Sequence, residues 1–128
     1  MKIDAVAVTS SDMERSIAFY SAVGFDFTGA DPAANHLEPA TPDGACRLMI
    51  DRADFMERLS GMAPRPASHA GFALLCDTPA EVDARVEAVR TAGFVVVTEP
   101  WDAFWGQRYA SVADPDGYLV DLFAPLAG

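Results

Sequence analysis

Apolar and polar positions alternate in two different rhythms along this chain, and the order of those rhythms occurs twice. Ile3-Asp4-Ala5-Val6-Ala7-Val8-Thr9 is an extended, β-branched run, which predicts a strand. Ser11-Asp12-Met13-Glu14 then has the spacing of a capping box, in which the Ser11 hydroxyl takes a free helix N–H and Glu14 reaches back. Met13, Ile17 and Tyr20 follow at helical spacing, and Gly24 supplies the stop after about Val23. Phe25-Asp26-Phe27 reads as a further strand.

The second half repeats the order. His69 to Cys76 predicts a strand, and Thr78-Pro79-Ala80-Glu81 a second capping box with proline at the first helical position. Val82, Val86 and Val89 make one apolar helical stripe, Gly93 ends it, and Phe94 to Val97 predicts a strand. Val-Gly-Phe at 23–25 and Ala-Gly-Phe at 92–94 occupy matching places. Each half closes with a turn sequence: Thr41-Pro42-Asp43-Gly44 before Arg47–Asp51, and Asp114-Pro115-Asp116-Gly117 between Tyr109–Ala113 and Tyr118–Phe123. The pattern predicts one domain over 1–128, built of two βαβββ units at about 1–60 and 67–124. The link from about Arg52 to Pro66 holds a short helix with Phe55 and Leu59 on one side.

Composition narrows the function. At 51% hydrophobic and 22% charged residues the chain has the balance of a globular protein. It has no apolar run of membrane-spanning length and no signal-peptide core at Met1-Lys2-Ile3-Asp4, so a cytoplasmic, membrane-free protein is expected. A net charge of −10 argues against a nucleic-acid partner and suits a cationic small molecule. Cys46 and Cys76 lie in no metal-binding spacing and are expected to be buried free thiols. No nucleophile elbow, phosphate loop or dinucleotide fingerprint is present.

The stretches SDMERSIAFYSAVGF (11–25), RLMID (47–51), CDTPAEVDARVEAVRTAGF (76–94) and DPDGYLVDLF (114–123) together resemble the vicinal oxygen chelate superfamily, that is, glyoxalase, bleomycin-resistance and extradiol-dioxygenase proteins. The resemblance implies an α+β fold whose two βαβββ modules curve into a half-barrel cleft, and a homodimer. Metal-dependent members hold a divalent ion with four inward-facing side chains, usually His or Glu. Those places fall on Ala5, Met49, His69 and Asp121. Alanine has no donor and a thioether suits hard ions poorly, so no metal and no cofactor are expected.

The resemblance to metal-free resistance proteins then implies binding of a planar aromatic or cationic antibiotic, sequestered without turnover. The stretch Trp101-Asp102-Ala103-Phe104-Trp105-Gly106-Gln107-Arg108-Tyr109, expected as a loop entering a strand, supplies rings for stacking, or else pins itself against the sheet or a partner subunit. Met49 is expected to face the cleft, with Arg47 and Asp51 on the same strand face as anchors or rim pairs. Phe55 and Met56 are candidates to lid the opening, and His69 and Asp121 to form a hydrogen-bonded pair. His36 is expected on a strand, facing solvent. The alternatives are a metal enzyme with an altered ligand set, or a metal-free isomerase or cyclase using His69 and Asp121 as acid and base.

Overall fold

A computed structural model describes residues 1–66 and 71–127. The elements run β1 (Ala5–Ser10), α1 (Met13–Ala22), β2 (His36–Leu37), β3 (Arg47–Arg52), α2 (Ala53–Ser60), β4 (Gly71–Leu75), α3 (Pro79–Thr91), β5 (Val95–Ala103), β6 (Gln107–Ala113) and β7 (Leu119–Pro125). They form a three-stranded sheet, β1-β3-β2, and a four-stranded sheet, β4-β7-β6-β5. In each sheet the first and last strands of the module pair in parallel, β1 with β3 and β4 with β7. The expected fold class holds.

The second module is a complete βαβββ unit. The first is not, because Phe25–Phe27 forms no strand. Asp26 Oδ1 accepts from both the Thr28 amide (2.9 Å) and the Thr28 hydroxyl (2.6 Å), which turns the chain. A single backbone bond, Ala40 N–H to Asp26 O at 2.9 Å, marks where a strand would have paired.

The helix ends explain themselves. The α1 cap is Asp12 rather than Ser11: the Asp12 carboxylate accepts from the Arg15 amide at 3.2 Å. Thr78 caps α3 through the Glu81 amide (3.1 Å), while Glu81 accepts from the Asp77 amide (2.6 Å). Gly24 (φ 117°) and Gly93 (φ 87°) follow the two helices in the positive-φ region, as a helix stop requires.

One core joins the modules. Val8, Leu48 and Ile50 of the first sheet and Ala110, Val112, Val120 and Leu122 of the second turn inward onto Phe19 and Tyr20 of α1 and Val82, Val86 and Val89 of α3. Phe19 is wholly buried, edge-on to Tyr20 and Phe94 at 4.9 and 5.4 Å. Side chains of that size contribute about 1.5–3 kcal/mol each through burial. On α2 no residue is fully buried: Phe55 and Met56 are half-buried, and Leu59 is exposed instead of sharing a packed side with Phe55. Cys76 is buried as expected, and burial pushes its thiol pKa up. Cys46 is exposed, because it precedes β3 rather than lying inside it.

Candidate ligand-binding face

Strand alternation sends Ala110, Val112, Val120, Leu122 and Ala124 to the helices, so their neighbours face the opposite way. Register assembles those neighbours into rows across all four strands of the second sheet. Leu75, Phe123, Tyr109 and Trp101 make one row. Ala73, Asp121, Ser111 and Thr98 make the next. An aromatic, apolar row therefore lies beside a small, polar one.

The aromatic stretch is a hairpin rather than a loop. Trp101, Asp102 and Ala103 belong to β5 and pair with Tyr109, Arg108 and Gln107 of β6. Gly106 (φ 92°) closes the tip, its amide donating to Ala103 O at 3.0 Å. Trp105 sits edge-on to Trp101, Phe104 and Tyr109, with centroids 5.4, 5.0 and 5.4 Å away, and its Nε1–H donates to Gln107 Oε1 at 2.8 Å. Phe104 is 91% exposed, Trp105 48% and Trp101 39%. Arg108, on the other side, ties the hairpin to α3 through Asp83 (3.0 Å) and to its own strand pair through Asp102 (3.1 Å).

Asp121 lies in the polar row and is held from two sides. Tyr109 Oη donates to its Oδ2 and Ser111 Oγ to its Oδ1 (2.6 Å). Burial, then the Asp121 carboxylate, pushes the Tyr109 phenol up to about 12, so it remains a donor at neutral pH. Ser111 escaped sequence analysis, although its alternation with Tyr109 places it on this face. The expected His69–Asp121 pair lies outside the described residues.

The first sheet presents a charged face. Met49, between Arg47 and Asp51, points away from the helices as predicted, and its partner across the ladder is Ala7. Arg47 is already engaged, by Glu38 at 2.8 Å and Asp4 at 2.9 Å. His36 is a solvent-facing strand residue, as expected, and it also holds two carboxylates: Nδ1 lies 2.6 Å from Asp51 and Nε2 2.8 Å from Glu38. Those two carboxylates, Glu38 first, raise the His36 pKa, while His36 and then Arg47 lower that of Glu38. The alternation His36-Leu37-Glu38 around a buried Leu37 puts both side chains on one face, a pattern only three residues long.

The predicted residues thus fall into separate groups. Trp101, Phe104, Trp105, Tyr109 and Asp121 share the second sheet, Arg47 and Met49 the first, and Phe55 sits on α2 with the Arg58 guanidinium 5.9 Å from its ring. No hydrogen bond or ion pair joins these groups among the described residues. The cavities of about 810 and 600 Å³ are lined by other side chains.

Two strand-helix modules, each pairing its first and last strands in parallel, define the class, and comparison places the chain within it. Residues 2–122 match the Glyoxalase/Bleomycin resistance protein/Dioxygenase superfamily, and the chain belongs to that family. A glyoxalase-related enzyme from Fulvimarina pelagi superposes with a TM-score of 0.80 at 21% identity, over 96% of this chain and 87% of that one. A hypothetical protein from S. aureus gives 0.77 at 24% identity, over 94% and 91%. Likeness at this identity shows the fold. Among curated proteins, laccase abr2 of Aspergillus fumigatus is 33% identical over 76 residues, covering 57% of this chain and 12% of the laccase. An uncharacterized protein of Mycobacterium tuberculosis is 35% identical over 74 residues, covering 57% of this chain and 44% of that protein. The chain therefore spans less than half the length of these two curated relatives.

The register fixes where the ligand places implied by the family fall. Setting the helix cap Asp12 on the cap Thr78 brings Ala5 onto Gly71, not onto His69. The ladders agree: Ala5 pairs with Arg47 and Gly71 with Leu119, and Met49 and Asp121 each stand two places further on. The four places are thus Ala5, Met49, Gly71 and Asp121. Two have no donor atom, one is a thioether, and the Asp121 oxygens already accept from hydroxyls. Among the described residues no three His, Cys, Asp or Glu side chains converge on a metal site. These residues do not fit the family's ion. Nor is any helix of the described residues long and apolar enough to cross a membrane.

Proposed function

We propose that this chain binds a small planar, cationic or aromatic molecule, of the kind many antibiotics represent, and releases it unchanged. The observation that carries this is the row Leu75–Phe123–Tyr109–Trp101, exposed at its two ends and half-buried between, extended by Trp105 and bordered by Asp121. Flat rings stack on indole and phenol faces, and a cation gains from the ring quadrupole and from a neighbouring carboxylate. The net charge of −10 draws cations toward the chain. A homodimer working in the cytoplasm belongs to the same proposal, with the apolar hairpin tip at Phe104 available to a second copy.

The test is titration of tryptophan fluorescence with proflavine, a planar cation, and with bleomycin. Saturable quenching is expected, with the ligand recovered chemically intact. Trp105→Leu and Asp121→Asn should each weaken binding about tenfold, the cost of one lost ring or charge contact of about 1.4 kcal/mol. Absence of quenching by any planar cation, or recovery of an altered product, overturns the proposal. A second reading, a metal-free isomerase or cyclase with Asp121 as base, is favoured by the two hydroxyls that orient that carboxylate. It predicts a product and a pH–rate profile abolished by Asp121→Asn.

A further inference from the structure

The two modules match place for place, yet they meet each other differently at their two ends. The cap match that sets Ala5 on Gly71 also sets Thr9 on Leu75, Phe19 on Arg85 and Tyr20 on Val86. The turn Thr41-Pro42-Asp43-Gly44 corresponds to Asp114-Pro115-Asp116-Gly117, so Thr41 stands for Asp114. The first module carries one more residue before its strand, and Ala45 and Cys46 share the place of Tyr118.

At one junction the matched residues close the gap. Tyr20 Oη donates to the buried Asp114 carboxylate at 2.7 Å, Tyr118 Oη lies 2.8 Å from Thr9 Oγ1, and the Ser11 amide donates to Asp116 at 3.0 Å. At the other junction both phenols are missing. Val86, Thr41, Leu75, Ala45 and Cys46 occupy those places, and none can rebuild the bonds. A groove of about 810 Å³ opens there, walled by Val6, Leu48, Phe72 and Leu74 and edged by Thr41 and Cys46. Arg85, in the place of buried Phe19, lies flat over Gly24, its guanidinium carbon 3.1 Å from where a Cβ would be. Its charge is matched by Glu81 at 3.1 Å, and Asp26 adds a second carboxylate to the lining.

We propose that this groove is a second binding site, and that it takes a neutral aromatic molecule bearing a phenolic hydroxyl. The occupant stands where the other junction has two tyrosines. The volume lies within the roughly 300–1,000 Å³ of small-molecule sites. Its walls are apolar, and among the described residues its one lining cation, Arg85, is neutralised while a carboxylate remains over, so a hydroxyl donor fits and an anion is repelled. The Asp26 carboxylate stands exposed at the groove's rim, its Oδ1 held by Thr28 and its Oδ2 open to a hydroxyl donor. This groove shares Ala73 and Leu75 of the edge strand β4 with the second sheet's outer face, but Trp101, Trp105, Tyr109 and Phe123 do not line it, and it stands whether or not that face binds a ligand.

The test is calorimetric titration of the whole chain with 2-naphthol and, in parallel, with 2-naphthoate. Labelling of Cys46 by a thiol reagent is the second readout, because Cys46 is exposed at the groove edge and Cys76 is buried. Saturable 2-naphthol binding is expected, with Cys46 labelling slowed about tenfold at saturation and naphthoate at least about tenfold weaker, roughly 1.4 kcal/mol. Ala45→Phe, or Thr41→Trp at an exposed place should the first variant fail to fold, should abolish binding by filling the groove. Trp105→Leu, remote from the groove, should leave the slowing of Cys46 labelling by 2-naphthol unchanged. Tighter binding of naphthoate overturns the ligand class. No binding, or binding that survives both filling variants, overturns the site. A free protein that is dimeric and whose Cys46 resists labelling also overturns it, because a second copy then covers the groove.

Discussion

Removing one hydroxyl, by Tyr20→Phe, tests the junction that closes the two modules. Tyr20 is wholly buried and Asp114 only 5% exposed, and Tyr20 Oη donates to Asp114 Oδ2 at 2.7 Å. The other Asp114 oxygen accepts from the Asp116 and Tyr118 amides, both at 2.9 Å. A hydrogen bond to a charged group contributes about 1.5–3 kcal/mol, so Tyr20→Phe should cost about 2 kcal/mol at neutral pH. For a chain of this size that lowers Tm by roughly 8 °C. The pH dependence has a defined sign. Burial holds the Asp114 pKa above its ordinary value, and the Tyr20 hydroxyl is the largest influence pulling it down. A raised carboxyl gives stability that is present below its ordinary pKa and lost as pH rises through the native value. Without the hydroxyl the native pKa climbs further, so ionising Asp114 costs more. The penalty is therefore full at pH 7 and shrinks on acidification as Asp114 takes its proton. Urea unfolding of both proteins from neutral to mildly acidic pH measures this. A penalty under about 0.5 kcal/mol at pH 7, or one that grows on acidification, refutes the reasoning.

Tyr118→Phe removes only the neutral, half-buried contact with Thr9, and should cost about 0.5–1.5 kcal/mol with no such pH trend, measured in the same unfolding series. His36, held by Glu38 and Asp51, should titrate by NMR above its ordinary value of 6.5, and whatever stability it adds is present below that pH and lost as pH rises through the native pKa. Asp51→Asn should bring the midpoint back toward 6.5; an unchanged midpoint would discount that ion pair. Ala5→His/Met49→Glu/Gly71→His, joined to Asp121, should gain divalent-ion affinity by calorimetry. A Cβ at Gly71 would meet only Leu119 O at 3.4 Å and Leu119 Cβ at 3.8 Å, so the backbone accommodates it, and lack of any gain would show the matched places to be wrong.

Much of the fold was written in the periodicities. Val82, Val86 and Val89 are the buried stripe of α3, and Leu48 and Ile50 turn to the helices while Met49 turns away. Both glycine stops and both Asp-Gly turns fall where the local chemistry puts them. What failed had physical reasons. Phe25–Phe27 has strand composition, but Asp26 bonds its own neighbour Thr28 and bends the chain away. Ser11 and Asp12 are both able to cap, and only the backbone of Asp12 (φ −149°) places a side chain over the Arg15 amide. The aromatic stretch reads as a loop because Pro100 and Gly106 interrupt it, yet register continues through Trp101 and Tyr109 beyond the irregularities in β5. His69 has the chemistry of a ligand, whereas the helix caps count the place equivalent to Ala5 to Gly71. His36 and Glu38 belong to a two-residue strand and its flank, too short for alternation to stand out.

The losses at the family's ligand places share a pattern that bears on what the sheets can do. On the faces turned from the helices, β1 offers Ala5 and Ala7, and β4 offers Gly71 and Ala73. These matched strands are the outer edges of their sheets and carry little side-chain volume there until Thr9 and Leu75 at their far ends. Their ladder partners carry the chemistry instead: Arg47 and Met49 on β3, Leu119 and Asp121 on β7. A donor set spread over four strands is thereby replaced by two smooth edge strands, each beside a functional neighbour. A smooth strand supplies room rather than contacts, so selectivity passes to its neighbours: the charged cluster His36–Asp51–Glu38–Arg47 on one sheet, the aromatic row and Asp121 on the other. The two sheets are then unequal by construction. The first is occupied by its own ion pairs, whereas on the second Trp101, Trp105 and Leu75 stay exposed, the feature on which the proposed binding face rests.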